Sequence, residues 1–119
     1  TKPTLESTKN ILNSLMSSFQ QKSASPKVIV EAVSKFYDVD IKDITGKSRK
    51  KELVKPRQIT MYLMREESNT SFPTIGQELG GRDHTTAMHA CAKIGKVIQN
   101  NERVKQEIES IKQLIYNAA

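Results

Sequence analysis

Gly80-Gly81-Arg82-Asp83-His84-Thr85-Thr86-Ala87-Met88-His89 is the stretch from which the fold follows. Two adjacent glycines supply the positive φ that a tight turn demands. Asp83 then stands as an N-cap, with its carboxylate expected to accept from the backbone N–H of Thr85 or Thr86. Before the turn, Phe72, Ile75 and Leu79 mark a short helix with Pro73 near its start. After it, Ala87, Ala90, Cys91, Ile94, Val97 and Ile98 share one face of a second helix. At about 100° per residue, Thr85, His89, Ala92 and Lys96 lie on the opposite face. Helix, glycine turn and second helix together make a helix-turn-helix.

Working outward, the same periodicity covers the chain. Ser25-Pro26 is a start signal, a capping serine followed by proline at the first helical position. Ile29, Ala32, Val33 and Phe36 then form the buried face of a helix ending near Tyr37. Asp40 is placed to cap a short turn, with Val39, Ile41 and Ile44 expected to point inward. A second proline-led helix begins around Lys55-Pro56, with Ile59, Tyr62 and Leu63 inside, and Glu66 to Ser71 reads as a polar loop. Val104, Ile108, Ile111 and Ile115 stripe a last helix. The class is all-α, a helix-turn-helix domain of about six helices over residues 25–117. Residues 1–22 carry Leu5, Ile11, Leu12, Leu15, Met16 and Phe19 in one helical stripe, and Gln20 to Ser25 reads as a linker. This extra N-terminal helix is expected to dock on a neighbouring domain outside the chain, which starts at Thr1 and reads as a fragment of something larger.

Charge is the second signal. Residues 45–65 hold seven basic side chains (Lys47, Arg49, Lys50, Lys51, Lys55, Arg57, Arg65) against the single acid Glu52, so this stretch alone accounts for the net charge of +6. A concentrated positive field beside a helix-turn-helix suits a polyanion. The lone Cys91 excludes an internal disulfide and points to a reducing cytoplasm. No apolar run approaches the roughly 18 residues of a membrane span.

Other chemistries fit poorly. His84, His89 and Cys91 match no zinc spacing, because histidines five apart on a helix diverge by roughly 140°. Asp83, His84 and Thr85 do not make a catalytic set, since consecutive helical residues do not face one another. No phosphate-binding glycine loop accompanies the glycine pair. The domain is therefore expected to be neither a metal site nor an enzyme.

Double-stranded DNA gives each residue a task. Asp83 can accept from cytosine N4, His84 can donate to a purine acceptor, and the Thr85 methyl can meet a thymine methyl. Thr86, His89 and Lys93 sit nearer the flanks and reach phosphates. Arg57 and Gln58 fall in the first turn of their helix. A cation there opposes the helix dipole unless a phosphate is bound at that terminus. Arg49, on the loop after Gly46, is the candidate for a narrow A·T-rich minor groove, flanked by Lys47, Lys50 and Lys51 on phosphates. The alternative is a protein-interaction module whose basic face docks an acidic regulator.

These residues resemble a known signature. Gly80-Gly81-Arg82-Asp83-His84-Thr85-Thr86, then Met88-His89-Ala90-Cys91 and Lys93-Ile94, with Lys55-Pro56-Arg57-Gln58 and the basic loop upstream, are similar to the C-terminal DNA-binding domain of the bacterial DnaA family. The resemblance covers about residues 25–117. It implies recognition of short A·T-rich boxes at the replication origin by a monomeric domain. Asp83, His84 and Thr85 would read bases in the major groove, and Arg49 would enter the minor groove. Arg57, Gln58, Arg65, Thr86, His89 and Lys93 would hold the backbone. Residues 1–22 look like the tail of the family's preceding ATPase domain. ATP is a cofactor expected only in that absent domain, and none is expected in this chain.

Overall fold

The computed structural model describes residues 24–117, so the helix expected over residues 1–22 lies outside the described residues. Six α-helices and one 3₁₀ turn follow in order. α1 (Pro26–Tyr37) begins as its sequence dictates, with Ser25 Oγ accepting from Val28 N at 3.3 Å and proline in the first turn. It ends where Asp38 turns left-handed at φ 56° and returns its N–H to Ser34 O.

α2 (Ile41–Thr45) is a single short turn. Ile44 is fully buried, but Ile41 is 44% exposed, contrary to the inward placement expected of it. A five-residue helix presents only one inward side chain, and Ile44 fills that place. Asp40 occupies the N-cap position without a side-chain cap bond.

The basic loop leads through a 3₁₀ turn (Lys51–Leu53) into α3 (Val54–Glu67). This helix starts ahead of the expected Lys55-Pro56. Pro56 is tolerated because the first-turn N–H groups have no helical acceptor. Ile59, Leu63 and Met64 of α3 are completely buried, and Tyr62 is partly so.

α4 (Phe72–Glu78) also starts on a serine cap, Ser71 Oγ accepting from Thr74 N, with Pro73 in its first turn. The turn that follows has Gly80 at φ 88° and Gly81 at φ 73°. α5 (His84–Asn100) and α6 (Glu102–Asn117) complete the chain, and the described residues contain no strand.

α3 is the central element, packed against α1, α4 and α5, with α6 closing over α1 and α5. Ala87, Ala90 and Ile94 of α5 and Val104, Ile108, Ile111 and Ile115 of α6 are buried, as their stripes require. Alanine at the α5 contacts lets that helix lie close, so its polar opposite face turns outward as a unit.

One polar cluster ties α1, α3 and α6. Tyr37 donates to Glu107 Oε1 at 2.7 Å, and Lys55 Nζ lies 3.0 Å from the same oxygen. Arg103 Nε approaches Oε2 at 3.5 Å. Burial alone would raise the Glu107 pKa, but the hydrogen bonds from Tyr37 and Lys55 and the charges of Lys55 and Arg103 hold it below the ordinary carboxylate value. The resulting stability is present above the unfolded carboxyl pKa of about 4.3 and is lost as pH falls through the folded value. Glu107→Gln should cost about 1–2 kcal/mol at pH 7. The gap from the parent should close towards pH 3, as read by urea denaturation at both pH values.

Candidate nucleic-acid interface

The Gly80-Gly81 turn brings the start of α5 beside the loop that follows α2. An ideal Cβ on Gly80 would lie 2.5 Å from Gly46 O, so the two backbones touch without room for a methyl group. Between this junction, α3 and α5 runs a cleft of about 420 Å³. Arg49, Gln58, Thr86, His89 and Lys93 line it, together with Arg57 and Arg82. Among the described residues its lining contains no carboxylate. A larger concavity of about 1000 Å³ between α1 and α6 is lined by Glu31, Asp38 and Asp40 as well as Lys35, which makes it a poor seat for an anion.

The helix start projects beyond the cleft. Asp83, His84, Thr85 and Thr86 are all exposed. Asp83 is the N-cap by backbone, its carbonyl accepting from Thr86 N at 3.1 Å and Ala87 N at 3.3 Å. The expected carboxylate cap is not made. Instead Asp83 Oδ1 lies 3.2 Å from His84 Nδ1. The two can meet because Asp83 stands just outside the helix, where its extended backbone frees the side chain from helical spacing. The Asp83 carboxylate and the imidazole therefore form one exposed polar tip, with the Thr85 hydroxyl and methyl next to it.

Arg57 requires a correction. Its place in the first turn suggests a phosphate contact, whereas the structure buries it to 5% exposure. Its Nε donates to Ile44 O at 3.1 Å, its Nη2 to Gly46 O at 3.3 Å and to Asp43 O, and its Nη1 to Ser48 O. One guanidinium thus holds four carbonyls along the end of α2 and the start of the basic loop. Burial, then the charge of Arg82, lowers its pKa, and Asp43 partly offsets this.

Arg82, to which sequence reasoning gave no role, reaches the same carbonyl. Its Nη1 donates to Gly46 O at 2.9 Å and also to Leu79 O. Burial, then the charge of Arg49, lowers its pKa. No periodicity could have found it, since its partner is 36 residues away.

The other expected residues divide. Gln58, Thr86, His89, Lys93 and Arg49 come together on the cleft. Lys47 and Lys50 are exposed on the loop but do not line it. Arg65 stands apart in the last turn of α3, donating to Thr70 O at 3.2 Å with its guanidinium 4.5 Å from the centre of the Phe72 ring. Cys91 is half-buried, its thiol donating to Met61 O at 3.4 Å, and burial pushes its pKa up to about 11. It is a packing residue. No cluster of potential metal ligands occurs among the described residues. Nor is any described helix long and apolar enough to cross a membrane.

An outward polar second helix, a glycine turn and a supporting first helix define a helix-turn-helix domain. The family model described as the bacterial dnaA protein helix-turn-helix matches residues 26–94. The chain is 40% identical over 116 residues to the chromosomal replication initiator protein DnaA of Roseiflexus castenholzii, which covers 98% of this chain and 24% of that protein. It is 45% identical over 104 residues to the protein of the same name from Enterococcus faecalis, covering 87% of this chain and 23% of that one. The chain belongs to the bacterial DnaA family, through its helix-turn-helix domain, and spans about a quarter of the length of these relatives.

The burial of Arg57 yields a distinguishing expectation. Arg57→Ala should destabilise the fold by about 2–3 kcal/mol, because carbonyls are left unpaired in a poorly hydrated place. Arg57→Lys should recover only part of that, an ammonium being unable to reproduce the fork. Urea denaturation of the free protein measures both. Unchanged stability in Arg57→Ala would return the residue to the phosphate role.

Proposed function

We propose that this domain binds double-stranded DNA sequence-specifically at A·T-rich replication-origin boxes and so serves the initiation of bacterial chromosome replication. The observation that carries the reading is the shared face of α5's polar tip, the basic loop and a cleft whose lining holds cations but no carboxylate. Membership of the DnaA family, whose relatives are named for chromosomal replication initiation, supports it.

In this reading the start of α5 enters the major groove. Asp83 accepts from a cytosine amino group, His84 donates to a purine acceptor, and the Thr85 methyl packs on a thymine methyl. Arg49 enters the adjacent minor groove, where an A·T-rich tract deepens the negative potential. Thr86, His89, Lys93 and Gln58 hold phosphates between the two, and Lys47 and Lys50 hold those flanking the loop. The domain binds as a monomer and needs no cofactor of its own.

A gel shift with an origin-box duplex and a scrambled duplex, run across a salt series, tests this. Box binding should persist at salt where the scrambled duplex has dissociated, and equal affinity for the two would reject specific recognition. His84→Ala or Thr85→Ala should cost about 1–3 kcal/mol on the box and blur preference at one or two base pairs. Lys93→Ala should weaken both duplexes alike and flatten the salt slope by about one unit.

A further inference from the structure

We infer that Arg82 is a positioning residue, which latches the basic loop to the helix-turn-helix through the Gly46 carbonyl and thereby sets the spacing of the two groove-reading elements. This inference rests on the DNA-binding reading above and extends it to a residue that need touch no base.

Arg82 is itself fixed at both ends. Its backbone N–H donates to Gly76 O at 2.7 Å. Its own carbonyl lies so close to Gly76 that a Cβ there would collide with it, so the turn is seated on α4. From this seat the side chain crosses to Gly46 O at 2.9 Å while also engaging Leu79 O. Gly46 O also receives Arg57 Nη2 at 3.3 Å. Two guanidiniums from elements 25 residues apart in sequence (57 and 82) thus converge on one carbonyl.

The loop that begins there, residues 46–50, has no helical hydrogen bonds to hold it. Ordering a free loop at the moment of binding costs conformational entropy for each residue. A loop already fastened to the turn that carries α5 has lost that freedom beforehand. It also offers Arg49 at a fixed distance from His84 and Thr85. Arginine suits the task because one planar fork can serve several carbonyls in set directions. A lysine would keep the charge and lose that geometry.

Arg82→Lys is therefore the informative variant, with Arg82→Gln as a second that removes the charge but retains an amide donor. For Arg82→Lys, affinity for the box duplex should fall about ten-fold, while affinity for scrambled DNA stays within about two-fold. In an Arg49→Ala background the same substitution should cost less than about three-fold, because the loop then has no minor-groove arginine to position. Backbone ¹⁵N relaxation of residues 47–50 in the free protein supplies a readout that needs no DNA. Those amides should become markedly more mobile in both variants while α1 and α6 stay as rigid as in the parent. Parent-like loop relaxation would overturn the latch whatever the binding data. Full additivity with Arg49→Ala, or equal losses on box and scrambled DNA, would make Arg82 a direct phosphate contact instead. A parent protein that fails to distinguish box from scrambled DNA would sink the DNA-binding reading, and the relaxation measurement would still decide whether the loop is latched.

Discussion

At Gly80 and Gly46 two backbones approach so closely that a single methyl group would not fit. Gly80 sits at φ 88°, and a Cβ there would meet both Gly46 O and Arg82 Nη1 inside van der Waals distance. That contact joins two parts of the chain that share no regular hydrogen-bonding ladder. The turn of the helix-turn-helix is on one side, and an irregular loop bearing Lys47, Arg49, Lys50 and Lys51 is on the other. With no bulk between them, the Gly46 carbonyl becomes reachable by guanidiniums from both Arg57 and Arg82. Burial opposes this arrangement most and neighbouring cations add to it, Arg82 acting on Arg57 and Arg49 on Arg82, so both guanidinium pKa values are lowered. Five backbone carbonyls (of Asp43, Ile44, Gly46, Ser48 and Leu79) offset these costs.

Much of this is legible in the amino-acid sequence. Ser25-Pro26 marks the start of α1 and Pro73 that of α4, because a cap and a preset φ act locally and need no tertiary partner; Ser71, read as the end of a polar loop, proves to be the α4 cap. The stripes of α5 and α6 came through because burial follows a helix's own period, residue by residue. Within the candidate site, the exposure of Thr85, His89, Ala92 and Lys96 follows from the same reasoning, since the face opposite an apolar stripe must be outside.

Where the reading failed, the cause was an interaction with no local trace. Arg57 lies in the first turn of α3, where a charged side chain is normally solvated. It is buried because the loop from α2 crosses over it and turns its carbonyls inward, and helical periodicity says nothing about a crossing loop. Asp83 looked like a capping carboxylate and is one only by backbone, its side chain lying beside the imidazole of His84. Ile41 departs from its expected inward place for another reason. A helix of five residues has too little surface to bury two isoleucines, and Ile44 already fills the space.

Correcting Arg57 also changes how the basic stretch should be understood, because contact and field are separate properties of a charge. Several of its seven cations are committed within the fold. Lys55 pairs with Glu107, Arg65 lies against Thr70 and Phe72, and Arg57 is spent on carbonyls. Lys47, Arg49, Lys50 and Lys51 are exposed and form no ion pair among the described residues. Carbonyls satisfy the N–H groups of Arg57 without cancelling its charge, whereas the Glu107 carboxylate does oppose that of Lys55. Arg57 therefore contributes to the potential over the cleft while having little donor capacity left for a phosphate. A buried cation behind a loop of exposed ones strengthens long-range attraction and leaves the choice of contacts to the side chains in front. The arginines that shape the loop thus also charge it, which is why shape and field occur on the same face of the molecule.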